Sequence, residues 1–401
     1  RDANNLLIEN QELPHNNIVT TRVLEFLFGL AVYKKNYAGA EKYLMDIVSI
    51  KSELFGEDAP ETHLTKIKLA NFYLDYTNKI AEAGKIYQES FINKVQPQIN
   101  IRHKDMLVIL NHLAAYYEMT DNYEAAVATL IKAKYAAQKK FDNKDPLYAV
   151  ELTHNAKLQL KLGQYEEAEE NLNASLKILE DYRKDEEKKG FLVDAIQTQA
   201  ALFGIKGLFD EAEDNLDRAA KIISKANRID IVDESVTARE LSSLFIQLGR
   251  FSDTEDLLTR LLNESEKIYG STSSRLIDPL VNMGRLTLAK GDYTETDKLA
   301  TRAKQIAMSV YGEKSTKTAP VLILIGDLNN IIGDYEGARD NFTKAMQSQE
   351  KQFGHNHIEV AKSLARLALT KFYKGDPTDG VEKMMVDAQT ILGDRLGKDN
   401  P

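Results

Sequence analysis

Cysteine and tryptophan are both absent from the 401 residues. A chain without thiols has no disulfide framework, no cysteine nucleophile and no thiolate metal site. Proline is scarce, with eight in the whole sequence, which suits long uninterrupted helices. Basic excess is missing as well. Lys and Arg number 52 against 61 Asp and Glu, a formal charge of −9, which argues against a general binder of nucleic acid or of anionic membranes. The longest apolar stretch, Val23 to Tyr33, is broken by Glu25 and is too short to span a bilayer. No G-x-S-x-G, H-E-x-x-H, complete P-loop or dinucleotide fingerprint occurs. The first residue is Arg1 rather than Met, so a processed or cut segment is expected.

What is present is a period. The phrase glycine, any residue, aromatic, two residues, small residue returns as Gly163-Gln-Tyr165-Glu-Glu-Ala168 and Gly207-Leu-Phe209-Asp-Glu-Ala212. It returns again at Gly249, Gly291 and Gly333, with Thr254, Thr296 and Ala338 at the small position. Asp121-Asn-Tyr123 and Lys35-Asn-Tyr37 are earlier copies without the glycine, and a degenerate copy near Asn78 to Ala83 carries one extra residue. From Asp121 to Gly375 the steps are 42, 44, 42, 42, 42 and 42. A second set of turn markers follows 21 residues after the first, at Gly56, Asp142, Gly270, Gly312 and Gly354, with Pro60 and Pro146 four residues beyond two of them. Two turns per period leave room for two helices of about five turns each. Between the turns apolar residues recur at three and four, as in Leu107, Leu110, Leu113, Ala114 and Tyr117, the signature of an amphipathic helix. The fold expected is all-α, an antiparallel helix pair (A, then B) repeated along the chain.

These residues resemble the tetratricopeptide repeat in its 42-residue form, typical of kinesin light chains. Leu113, Ala114, Tyr117, Tyr123 and Ala126 are similar to its L-A-x-x-Y and Y-x-x-A pattern, and Gly354-His-Asn-His-Ile-Glu-Val360-Ala361 to its linker. Asn155 and Gln199 depart from it at the leucine position, as do Thr254 and Thr296 at the small one. The resemblance implies a right-handed superhelical solenoid. About nine units are placed over residues 18–401, after an N-terminal flank or remnant of a preceding repeat at 1–17. The linker-like ending Leu396-Gly397-Lys-Asp-Asn-Pro401 leads to the expectation that the parent protein continues.

Such an array is expected to act as a non-catalytic scaffold, because stacked pairs leave a concave surface that suits a peptide. The alternative is a recruiting arm of a larger enzyme, for example a caspase-like peptidase of the CHAT type, whose catalytic domain lies outside this segment. Carrying over the family's groove positions, two residues before and two after the leucine position and further along the same helices, implicates Asn71, Asn111, Glu118, Lys157, Lys161 and Gln197. The same transfer adds Arg239, Gln247, Arg285, Asp327 and Asn330. The cations Lys157, Lys161, Arg239 and Arg285 would form a basic groove centre for an acidic or carboxylate-bearing protein segment. No cofactor, nucleic acid or membrane partner is expected, the location expected is cytoplasmic, and the oligomeric state stays open.

Two short motifs hint at other chemistry. Gly312-Glu-Lys314-Ser315-Thr316 resembles the end of a P-loop but lacks the first glycine and the preceding strand. His355, His357 and Glu359 have possible metal spacing, yet they lie in a repeat linker, which favours an ordinary loop.

Overall fold

The computed structural model describes residues 18–96, 105–223, 246 and 251–396. The described chain is helical, with no strand among the described residues. The helices are α1 (Ile18–Tyr33), α2 (Tyr37–Phe55), α3 (Pro60–Tyr76), α4 (Ile80–Ile86), α5 (Met106–Met119), α6 (Tyr123–Lys140), α7 (Pro146–Lys161), α8 (Tyr165–Leu179) and α9 (Lys189–Ile205). They continue with α10 (Phe209–Ile223), α11 (Phe251–Tyr269), α12 (Ile277–Ala289), α13 (Tyr293–Val310), α14 (Ala319–Ile331), α15 (Tyr335–Phe353), α16 (Ile358–Lys374) and α17 (Thr378–Leu396). Within each compact stretch of described residues consecutive helices pack as antiparallel pairs, as α7 with α8, α9 with α10, α12 with α13, α14 with α15 and α16 with α17, and α8 packs on α9, α13 on α14 and α15 on α16. This is the all-α solenoid of helix pairs that the period predicts.

Each part of the repeated phrase has a local cause. Gly291, Gly333 and Gly375 adopt φ of +81°, +84° and +86°, the left-handed conformation that ends an A helix without a Cβ penalty. The residue that follows starts the B helix. Asp292 and Asp334 accept from the backbone N–H of Glu295 and Gly337, as Asn122 does from Ala125, satisfying an otherwise orphaned donor. Pro60 and Pro146 stand in the first turn of α3 and α7, where a missing N–H costs nothing. The small residue five positions after the glycine is fully buried, as at Ala126, Ala168, Ala212 and Ala338. Thr296 is tolerated there because its hydroxyl donates to the Asp292 carbonyl and pairs with Thr287. Lysines at the ends of A helices reach back to glutamates of the preceding repeat. Lys79–Glu41, Lys206–Glu169 and Lys290–Glu255 lie at 2.5, 2.5 and 2.7 Å, and Lys374–Glu336 repeats the pair.

Contacts divide the chain into two compact units, Arg1–Glu118 and Met119–Pro401. The boundary falls at the end of α5, inside the pair that the periodicity groups together. In the first unit an aromatic core surrounds Phe72, with Phe28 edge-on at 5.8 Å and Tyr37 stacked on Tyr76 at 5.2 Å. Beyond α4 the helix widens into π-type winding over Tyr87–Val95, in the repeat that carries the extra residue. A π turn is a way to house such a residue without breaking the helix.

In the second unit the cores are largely aliphatic. Leu276, Leu280, Val281, Ala300, Ala303 and Leu324 form one cluster, and Leu179, Leu192, Val193 and Ile196 belong to another. Asn155, at a position where the family has leucine, is buried but donates to the Glu151 carbonyl at 2.8 Å, so the amide does not go unpaired.

Candidate partner-binding face

The A helices carry Asn71, Asn111, Glu118, Lys157, Lys161, Gln197, Arg285, Asp327 and Asn330. In the second unit α7, α9, α12, α14 and α16 each pack on their own B helix, and α7 touches α9, α12 touches α14 and α14 touches α16. The residue two before the leucine position points at the B helix. Thr153, Val281 and Ile323 are buried, and Ile323 packs with Ala338 and Phe342 of α15. Gln197 takes the same position and is only 6% exposed, so it belongs to the interior and not to an open groove.

The residue two after the leucine position lies at the junction between successive A helices and is half-buried. Lys157 on α7 donates to both oxygens of Asp194 on α9, at 2.5 and 2.6 Å. The expected basic centre is therefore matched by a carboxylate at this point. Asp327 on α14 accepts from Arg366 Nε on α16 at 3.0 Å. Burial raises the Asp327 carboxyl above the ordinary carboxylate range, against the opposing pull of Arg366 and Arg285. Arg285 of α12 adds a weaker electrostatic pull on the same carboxylate. Asn330 donates to Thr370 Oγ1 at 3.0 Å. Lys161 is half-buried at the end of α7, and its backbone carbonyl is engaged by His357. Arg239 and Gln247 lie outside the described residues.

Within the first unit, Asn71 accepts from the Tyr87 hydroxyl at 2.7 Å and so ties α3 to the winding after α4. Asn111 and Glu118 are half-buried on α5. One step of the same kind as in the second unit is present, with His112 Nε2 and Asp75 Oδ2 3.1 Å apart.

Asp194 and Arg366 were missed by sequence reasoning. Their signal was available as a complementary charge 37 or 39 residues after Lys157 or Asp327, slightly less than one period. One repeat on from Asp327 and Asn330 in the same register, Leu369 and Phe372 on α16 are 39% and 58% exposed. The charged pair is therefore bordered by an apolar strip. Among the described residues no group of His, Asp and Glu could hold a metal ion. His355 turns to Glu350 at 2.9 Å and His357 turns inward. Among the described residues no helix is long and apolar enough to cross a membrane.

Residues 105–181 and 275–347 match the family described as Tetratricopeptide repeat. A Rap protein complexed with competence and sporulation factor is similar in fold, at 11% identity and a TM-score of 0.62, over 94% of this chain and 99% of that one. BtubC from P. vanneervenii is 17% identical, covering 56% of this chain and 90% of that one at a TM-score of 0.42. A kinesin light chain repeat protein of Podosopora anserina is 16% identical, covering 63% and 97% at a TM-score of 0.29. No curated protein matches the chain by sequence.

Proposed function

From the premise that the chain is an array of tetratricopeptide repeats, we propose that it is a non-catalytic protein-interaction scaffold that holds an acidic peptide segment on its A-helix face. The observation that carries this reading is the half-buried Arg366–Asp327 pair, 3.0 Å apart at the junction of α14 and α16, with the exposed Leu369 and Phe372 further along α16. An arginine fork matches a carboxylate in two parallel hydrogen bonds, so a ligand carboxylate has a natural seat beside Asp327. The exposed Leu369 and Phe372 next to it suit an apolar side chain three or four residues further along a helical ligand. The Lys157–Asp194 pair is already neutral and serves instead to hold α7 against α9.

Selection from a displayed library of random peptides tests the reading directly. Enriched sequences should place an acidic residue beside an apolar one. Arg285→Glu should weaken binding of the selected peptide about tenfold, the loss expected of one charge-assisted contact. Peptides without acidic bias, or an unchanged affinity in the variant, would overturn it.

A further inference from the structure

Both short motifs that the repeat pattern left over are found at one place in the second unit. The turn between α5 and α6 has Asp121 at φ +57°, where the turns at Gly163, Gly291, Gly333 and Gly375 have glycine. Lys35 takes the same conformation at the equivalent turn of the first unit, so a side chain is tolerated there, and Asp121 is set apart by its partners. The Asp121 carboxylate accepts from Ser315 Oγ at 2.6 Å, from the Thr316 backbone N–H at 3.1 Å and from Thr316 Oγ1. Beside it Lys317 Nζ donates to the Tyr123 hydroxyl at 3.0 Å. The P-loop-like run is therefore a docking loop for Asp121.

The second motif docks one period further along. The Tyr123 ring lies 5.2 Å from Phe353, and Phe353 stacks on His357 at 4.4 Å. His357 Nε2 donates to the Lys161 carbonyl at 3.0 Å, and its Nδ1 accepts from the Glu359 backbone N–H at 3.2 Å. Ile358 is buried in the same cluster as Tyr165, Leu172 and Leu202, with Leu392 and Leu396 against it. Ser315 and His357 are 42 residues apart, as are Asp121 and Gly163. The seam thus has two rungs in register, each joining residues almost 200 positions apart.

We propose that this seam is a clasp between successive turns of the repeat array, closed while His357 is neutral and opened when it takes up a proton. Donor and acceptor roles at the ring fix its protonation state. Nε2 faces a carbonyl and must carry hydrogen, while Nδ1 receives an N–H and must not. A second proton would set Nδ1–H against the Glu359 N–H and place a charge at a site only 5% exposed. The charged groups that face the ring are Glu359 and Lys362 on its own helix and Arg395 on α17; the α7–α8 turn contributes the Lys161 carbonyl. Asp121 and Lys317 lie further along the seam.

Burial outweighs Glu359 and the Lys161 carbonyl and holds His357 below the ordinary histidine value. The closed form then binds the proton more weakly than the open form. Its advantage is complete above the ordinary value of about 6.5 and declines as pH falls through it, until the closed form itself protonates. The device is independent of what the A-helix face binds.

The absence of native cysteine makes the clasp measurable. Spin labels on Cys introduced at the exposed Glu124 and Lys314 (E124C and K314C) straddle the first rung. Double electron–electron resonance on the full chain at pH 7.5 should show one short distance. A longer one should grow by up to about tenfold per pH unit below 6.5. His357→Gln should make the distribution independent of pH, whether closed or open. Asp121→Gly, which relieves the turn while removing the carboxylate, should populate the long distance at pH 7.5 with helical circular dichroism unchanged. The proposal is overturned by equal distributions at pH 7.5 and 5.5, by a pH response that survives His357→Gln, by a short distance retained in Asp121→Gly, or by helicity lost in step with opening.

Discussion

Among the described residues 18–118 rings pack on one another beside an aliphatic core, with Phe28, Tyr37, Phe72 and Tyr76 in one cluster and Tyr87 beside Tyr116 at 5.7 Å in another. Among the described residues 119–396 the clusters are mainly leucine, isoleucine, valine and alanine, with buried rings such as Tyr165 and Phe342 set among them. The difference follows the spacing. Where the period holds, each repeat meets its neighbour in the same register, and small residues suffice at every close approach. Where a residue is added, as before Ala83, the register slips. Large adaptable rings and a π-wound segment then take up the mismatch.

The largest test of this contrast is steric. A methyl group at Gly326 would fall 2.6 Å from the buried ring of Phe342, whereas at Gly84 it would meet the hydroxyl end of the half-buried Tyr116 at 2.3 Å. Overpacking a rigid core costs about 1–3 kcal/mol, offset by about 1 kcal/mol of helix propensity gained over glycine. Gly326→Ala should therefore lose up to about 2 kcal/mol in urea unfolding, and Gly84→Ala much less because the tyrosine can swing aside. Equal losses would remove the distinction between a rigid and an adaptable unit.

A smaller effect is expected from charge. Lys157→Met leaves the Asp194 carboxylate, whose side chain is 14% exposed, without its partner and should cost about 1–2 kcal/mol in the second unit. Adding Asp194→Leu should restore most of that, since an apolar pair can replace a partly buried ion pair at little net cost. A double variant no more stable than Lys157→Met would show that the pair does more than offset its own desolvation.

The smallest effect is a titration in the first unit. His63 is buried, its Nδ1 lies 3.1 Å from Ser90 Oγ, and burial is the main cause that lowers its affinity for protons. The folded unit prefers neutral His63, so its stability should be complete above about pH 6.5 and decline as the pH drops through that value. An NMR titration of the ring proton that gives a value at or above 6.5 would contradict this. His63 persists in His357→Gln, so the two histidines are separable.

Much of the fold was legible because its causes are local. Gly291-Asp292-Tyr293 contains a helix end, a cap and a helix start in three residues. The burial of Ala126, Ala168 and Ala212 follows from their place five residues after the turn. The candidate face was less legible. Gln197 was expected to line a groove and is buried. Lys157 was expected to meet a ligand and meets Asp194. A period says which residues are equivalent, but it does not say which side of a helix its neighbours cover.

The sequence by itself determined that this chain repeats a helix pair at a period near 42 residues, where its turns fall, and that no thiol, basic excess or membrane-length apolar run is among its means. Only the tertiary structure decided that Ser315 and Thr316 hold Asp121, and that His357 reaches Lys161. Helix caps and small residues act over a few positions, so sequence order reveals them. Contacts almost 200 residues apart depend on the small rotation from each repeat to the next, summed over several repeats, and no single repeat records that sum.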